Sequence, residues 1–177
     1  MTRYHPFLVA LHWLIALMII LALIFGSTQL AGMPNDDPAK IAGLRAHMSL
    51  GIAVLVLMLI RLATRLFTAK PPHASTGNAL LDRAGVATHW LFYILVIAMA
   101  GSGLATARMA GLPEIVFGGS GAPLPEDFRI YPPRIAHGII ATLLGLLLLL
   151  HVAAALYHQF VRKDGLFARM WFGDRRA

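Results

Sequence analysis

Apolar residues fill this chain in four long blocks, and the short polar stretches between them hold most of its charges. The blocks cover residues 7–30, 41–67, 85–107 and 134–161. Each reaches the ~20 residues that an α-helix needs to cross the hydrocarbon core of a bilayer. The first and third contain no Asp, Glu, Lys or Arg, and the fourth has none after Arg134 at its start. In the second, Arg45, Arg61 and Arg65 lie toward the ends. Gly and Pro punctuate the intervals Gly32 to Pro38, Pro71 to Gly77 and Gly111 to Pro133. The pattern predicts an all-α membrane protein, an antiparallel bundle of four transmembrane helices forming one domain over residues 1–177. The first block is too long for the apolar core of a signal peptide and has no convincing small-residue cleavage site, so a retained span is expected.

Composition agrees with a membrane class. Of the 177 residues, 58% are hydrophobic and only 13% charged, and the mean hydropathy is +0.71. The formal charge of +7 gains meaning once it is distributed over the loops. With the N-terminus inside, Arg3, Arg61, Arg65, Lys70, Arg83, Arg162, Lys163, Arg169, Arg175 and Arg176 all fall on the inner side. Outside lie Lys40, Arg45, Arg108, Arg129 and Arg134, balanced by Asp36, Asp37, Glu114, Glu126 and Asp127. The positive-inside rule then places both termini on the inner side of a multi-pass membrane protein. The basic pI reflects topology and anionic lipid, not nucleic acid.

Ionisable side chains inside a span are costly and mark function. His12, His47, His137 and His151 sit inside the blocks. Positions 137 and 151 are 14 residues apart in the fourth helix, which gives about 21 Å of rise and an angular offset of only about 40°. Each has a candidate partner at its own depth: His47 with His137 near the outer side, His12 with His151 near the inner side. Two stacked imidazole pairs suit two haem irons. The chain has no cysteine, which excludes thiolate ligation, iron–sulfur clusters and covalent haem attachment, so any haem is non-covalent.

Other residues extend the site. Gly51, Gly138 and Gly145 could let a flat macrocycle lie against the backbone. Arg45 and Arg134 flank the outer pair and could bind haem propionates. His89, in THWLFYI, echoes His12 in LHWLIAL, and either could reach the inner iron, with His12 preferred. A non-ligating His89 would bond a propionate or line a quinone pocket. His158 follows His151 by seven and falls at the inner interface near Tyr157, Arg162, Lys163 and Asp164, where a histidine can give protons to a quinone. His5 and His73 are expected to be solvated. A transporter or structural bundle with hydrogen-bonded core histidines is the competing class. No span contains Asp, Glu or a breaking proline, so that class is disfavoured.

The chain resembles the bacterial cytochrome b561 family. The likeness is carried by LHW at 11–13, HMSLGIAVLVLMLIRL at 47–62, THWLFY at 88–93, the helix start at His137 and LLLLLHVAAALYHQFVRKDGLFARM at 146–170. The resemblance implies two b haems, one held by His12 and His151 and one by His47 and His137. In some relatives it implies oxidation of superoxide at the outer face and reduction of ubiquinone, with Arg45, Arg134 and His158 as candidate catalytic residues. Related cytochrome b subunits instead dock a dehydrogenase or hydrogenase, and fold alone does not separate these activities. Membrane lipid, quinone, superoxide and a redox partner subunit are the partners this implies. Residues 111–133 match nothing in the family pattern.

Overall fold

The computed structural model describes residues 3–69, 71–72 and 77–173. Lys70, His73, Arg175 and Arg176 lie outside the described residues. Among those described there are four long apolar helices and no strand. They are α1 (Pro6–Ile24), α2 (Pro38–Phe67), α3 (Ala79–Met109) and α4 (Pro132–Leu156). Two of them continue as wider π turns, α1 through Phe25–Leu30 and α4 through Tyr157–Arg162.

Proline opens three of these helices, where its fixed φ suits the first turn and its missing N–H costs nothing. Asp37 caps α2 by accepting the Ala39 N–H at 2.8 Å, and Asn78 caps α3 by accepting the Leu80 N–H at 2.9 Å. These caps explain why α2 and α3 begin earlier than positions 41 and 85. Hydropathy marks where hydrocarbon starts, whereas the helix starts at the cap, with turns bearing Lys40 or Asp82 and Arg83 in between. Within α1 and its π turn the Ser27 and Thr28 hydroxyls donate to Leu23 O and Ile24 O at 2.7 and 2.8 Å. Polar groups at that depth are thereby satisfied by backbone.

Successive helices pack side by side, α1 on α2, α2 on α3 and α3 on α4. A central core of Leu11, Ile15, Ile19, Val54, Met58, Tyr93, Val96 and Leu144 joins all four. Outward faces are equally apolar, as at Leu149, Leu150 and Ile94, which is the surface a lipid solvent requires.

Both ends are closed by specific backbone contacts. At the outer end, named after the charge asymmetry, the Lys40 ammonium donates to Leu30 O and Met33 O at 2.7 and 2.6 Å and is only 5% exposed. Asn35 Nδ2 donates to Pro125 O at 2.8 Å, and Arg45 Nε and Nη2 donate to Val116 O at 2.9 and 2.6 Å. These bonds draw the segment 111–133, with its π turn Pro113–Phe117 and 3-10 turn Phe128–Ile130, over the helix ends. At the inner end a 3-10 turn, Phe167–Met170, folds back against α1. Trp13 Nε1 donates to Met170 O at 2.9 Å, and Arg169 Nη1 donates to Pro72 O at 2.6 Å.

Candidate functional site

Two pairs of imidazoles face each other across the bundle. α2 carries His47 and α4 carries His137, with ring centroids 6.1 Å apart and planes crossed at 76°. α1 carries His12 and α4 carries His151, with centroids 6.3 Å apart and planes crossed at 73°. A metal ion bonded in line to two imidazole nitrogens, at about 2 Å each, separates the ring centroids by roughly 6 Å. Both pairs match that separation. The residues present therefore fit a bis-imidazole metal centre at each end of α4.

The outer pair is built around small residues. A Cβ on Gly26 would come within 3.1 Å of His47 Cε1, and one on Gly103 within 3.2 Å of His137 Cε1. Glycine at these positions lets each ring lie against a neighbouring helix. The His137 Nδ1–H donates to Met99 O at 3.0 Å and to Ser102 Oγ at 3.1 Å. A carbonyl can only accept, so the proton resides on Nδ1 and Nε2 keeps its lone pair for a metal. By contrast, His47 Nδ1 is buried without a hydrogen-bond partner among the described residues.

Beside this pair lies a cavity of about 1020 Å³, lined by Gly51, Gly145, Arg134, Lys40, His47 and His137 among others. A Cβ on Gly51 or Gly145 would meet nothing within 4 Å, so both glycines border open volume of the kind a flat macrocycle fills. A Cβ on Gly138 would be 3.4 Å from Arg134 Nη1, so the guanidinium lies across that glycine at the cavity. Arg45 is placed differently: its guanidinium is engaged by Val116 O, and it holds the loop that roofs the cavity.

The inner pair has a third imidazole beside it. His89 approaches His151 with centroids 5.7 Å apart and planes at 86°, and its Nδ1–H donates to Gly85 O at 2.7 Å. The His12–His151 pair, at 6.3 Å and 73°, repeats the geometry of the outer pair at 6.1 Å and 76°, and His89 flanks it. Arg61 and Arg65 stand behind this cluster. Arg61 Nη1 donates to Leu8 O, and the Arg65 guanidinium lies 5.9 Å from the centroids of both Trp90 and Tyr93.

His158 sits in the π turn that ends α4. Lys163 follows in the left-handed region at φ 53°, and Gly165 at φ 73°, which turns the chain back. The turn brings Asp164 under the ring, where the His158 Nδ1–H donates to Asp164 Oδ2 at 2.6 Å. Arg162 Nε donates to the same oxygen at 3.2 Å, and the Leu166 N–H donates to Oδ1 at 3.2 Å. Burial alone would raise the Asp164 pKa, but the hydrogen bond from His158 and those from Leu166 and Arg162 outweigh it and hold the carboxyl below its usual range. Lys163 contributes its left-handed backbone conformation to this turn. His5 accepts the Phe7 N–H at 3.3 Å and serves as the α1 cap.

Three residues of this arrangement had no role assigned from the sequence: Lys40, Ser102 and Asp164. Each acts through a contact that depends on how loops or helices meet, and only Asp164 lay close enough in sequence to a flagged histidine to attract notice.

The profile of the family described as prokaryotic cytochrome b561 matches residues 3–173. Among curated relatives, a probable superoxide oxidase CybB of Yersinia pestis is 29% identical over 176 residues, covering 95% of each chain. Cytochrome b562 of Cereibacter sphaeroides is 30% identical, covering 92% of this chain and 90% of its own. Cytochrome b561 homolog 1 of Escherichia coli K12 is 25% identical, with 96% and 97% covered. Four apolar helices, paired imidazoles and a match over nearly the whole chain agree: this protein belongs to the prokaryotic cytochrome b561 family, whose members are electron-transfer proteins of the membrane.

Proposed function

We propose that this chain is a dihaem b-type cytochrome of the bacterial inner membrane that takes electrons from superoxide at the outer face and delivers them to ubiquinone at the inner face. The observation that carries the proposal is the pair of crossed imidazole couples, His47–His137 at 6.1 Å and His12–His151 at 6.3 Å, set at two heights along α4. A haem in each would supply a one-electron carrier, and the two relay positions span the membrane along the helix. His12 is the inner ligand in this account, since its ring meets His151 in the same arrangement as His47 meets His137. His89, bonded to Gly85 O, lines the inner site.

The remaining chemistry falls to charged residues at the two ends. Arg134, lying over Gly138 at the cavity, supplies local positive charge for an anionic donor and for propionates. Arg45 keeps the roof of that cavity in place through Val116 O. At the inner end His158 has its Nδ1 proton committed to Asp164, so Nε2 is the atom that can pass a proton to a quinone oxygen. Two superoxide ions, one quinone and two protons give two dioxygen molecules and one quinol. The charge excess inside favours cytoplasmic termini.

The relative named as a probable superoxide oxidase supports superoxide as the donor. Stopped-flow mixing of the purified, haem-loaded protein with superoxide is the test. Reduction at near-diffusional rates is expected. Slow reduction, with a second subunit co-purifying, would instead identify an electron-transfer subunit that serves a separate dehydrogenase.

A further inference from the structure

The two imidazoles of the outer pair are held in unequal ways. His47 Nδ1 is buried with no hydrogen-bond partner among the described residues, while His137 Nδ1 lies within hydrogen-bond distance of two acceptors on α3. The second acceptor is a side chain, Ser102, whose hydroxyl donates its only proton to Met99 O at 2.8 Å. With that proton committed, the Ser102 oxygen can only accept from His137. The three groups close a triangle: His137 N–H to Met99 O and Ser102 Oγ, and Ser102 O–H back to Met99 O.

We infer that Ser102 is a positioning residue for the outer iron centre: beside Met99 O, which sets the tautomer, its hydroxyl fixes the ring orientation of His137 and strengthens that imidazole as a metal donor. The inference rests on the proposed ligation by His137. Two acceptors on one helix hold the ring against rotation about its Cβ–Cγ bond. Gly103, next in the chain, leaves room for the ring to reach them, since a Cβ there would press on His137 Cε1 at 3.2 Å. Thr106 Oγ1 in turn donates to Ser102 O at 2.8 Å, which ties the next turn of α3 to the same place. An imidazole whose distal N–H is donated to acceptors pushes more electron density onto its metal. That favours the oxidised iron and holds the outer potential down, an effect His47 does not supply from the other side.

The test is a redox titration of the haem-loaded protein, with the two centres resolved by electron paramagnetic resonance (EPR). Ser102→Ala is expected to keep both haems, to move the outer potential upward, to alter the outer signal and to leave the inner centre unchanged. Ser102→Thr, which keeps the hydroxyl, is expected to restore the native outer potential. An unchanged outer potential and signal in Ser102→Ala would overturn the inference, as would equal movement of both centres, which signals general loosening. If Ser102→Ala sheds the outer haem, Ser102→Thr decides: a retained haem at near-native potential supports the role, and a shed haem overturns it. Failure of the ligand assignment itself shows separately, as two intact haems in His137→Ala.

Discussion

His47 and His137 face one another with their ring planes crossed at 76°, and His12 and His151 repeat the relationship at 73°. The second pair lies 14 residues further along α4 than the first. Were each pair to hold a haem iron, rings crossed in this way would leave the two iron d orbitals that they perturb almost equal in energy. The outcome expected for the haem-loaded protein is a strongly anisotropic low-spin EPR signal from each oxidised centre at low temperature. Ordinary rhombic signals, as parallel rings give, would show that the imidazoles turn on binding or that other residues ligate.

Gly51 offers a way to empty the outer site without touching a ligand. A Cβ there meets no protein atom within 4 Å, yet the position borders the large cavity. Gly51→Leu is therefore expected to fold normally, as judged by helical circular dichroism, and to lose about half of the bound haem. Full haem content in that variant would mean that the macrocycle lies elsewhere.

Lys40 is a stability element of the outer end. Its ammonium satisfies two carbonyls where α1 finishes, a place where the helix dipole also favours a cation. Lys40→Met removes two charge-assisted hydrogen bonds and leaves buried acceptors, at a cost of about 2 kcal/mol or more. A lowered midpoint in thermal unfolding in detergent is the expected result.

Asp164 makes the inner end sensitive to acid in a defined direction. Its carboxyl is held below the usual range, so the contribution of its bonds to stability is complete above the unfolded value of about 3.9. It is lost as pH falls through the lower folded value. The Leu166 amide, which donates to Asp164 Oδ1, should stay protected from hydrogen exchange down to about pH 4. In Asp164→Asn that protection should be weakened at every pH. Asp164 orients the His158 imidazole through its Nδ1 proton, so quinone reduction by Asp164→Asn is expected to slow.

The apolar blocks of the sequence announced the helices because a bilayer imposes one length and one composition on anything that crosses it. Their true starts at Pro38 and Ala79 were hidden, since the caps Asp37 and Asn78 lie beyond the hydrocarbon signal. The histidine pairs were legible for a related reason: helix rise converts sequence position directly into depth. Depth alone does not say which of two helices turns a side chain inward, and His12 and His89 both lie in ring contact with His151. Arg45 looked equivalent to Arg134 by position. The segment 111–133, which has no periodic pattern, engages Arg45 at Val116 O. Ser102 was invisible because its role comes from a contact across helices, and Asp164 was visible only as a neighbour of His158, its bond to the ring depending on the left-handed turn at Lys163.

The central claim is that each end of α4 holds one haem between two imidazoles. A pyridine haemochrome assay against protein concentration tests it most directly, run on the native protein and on His137→Ala. Two b haems per chain in the native protein and one in the variant are predicted. Two haems retained in the variant, or none in well-folded native protein, would contradict the account.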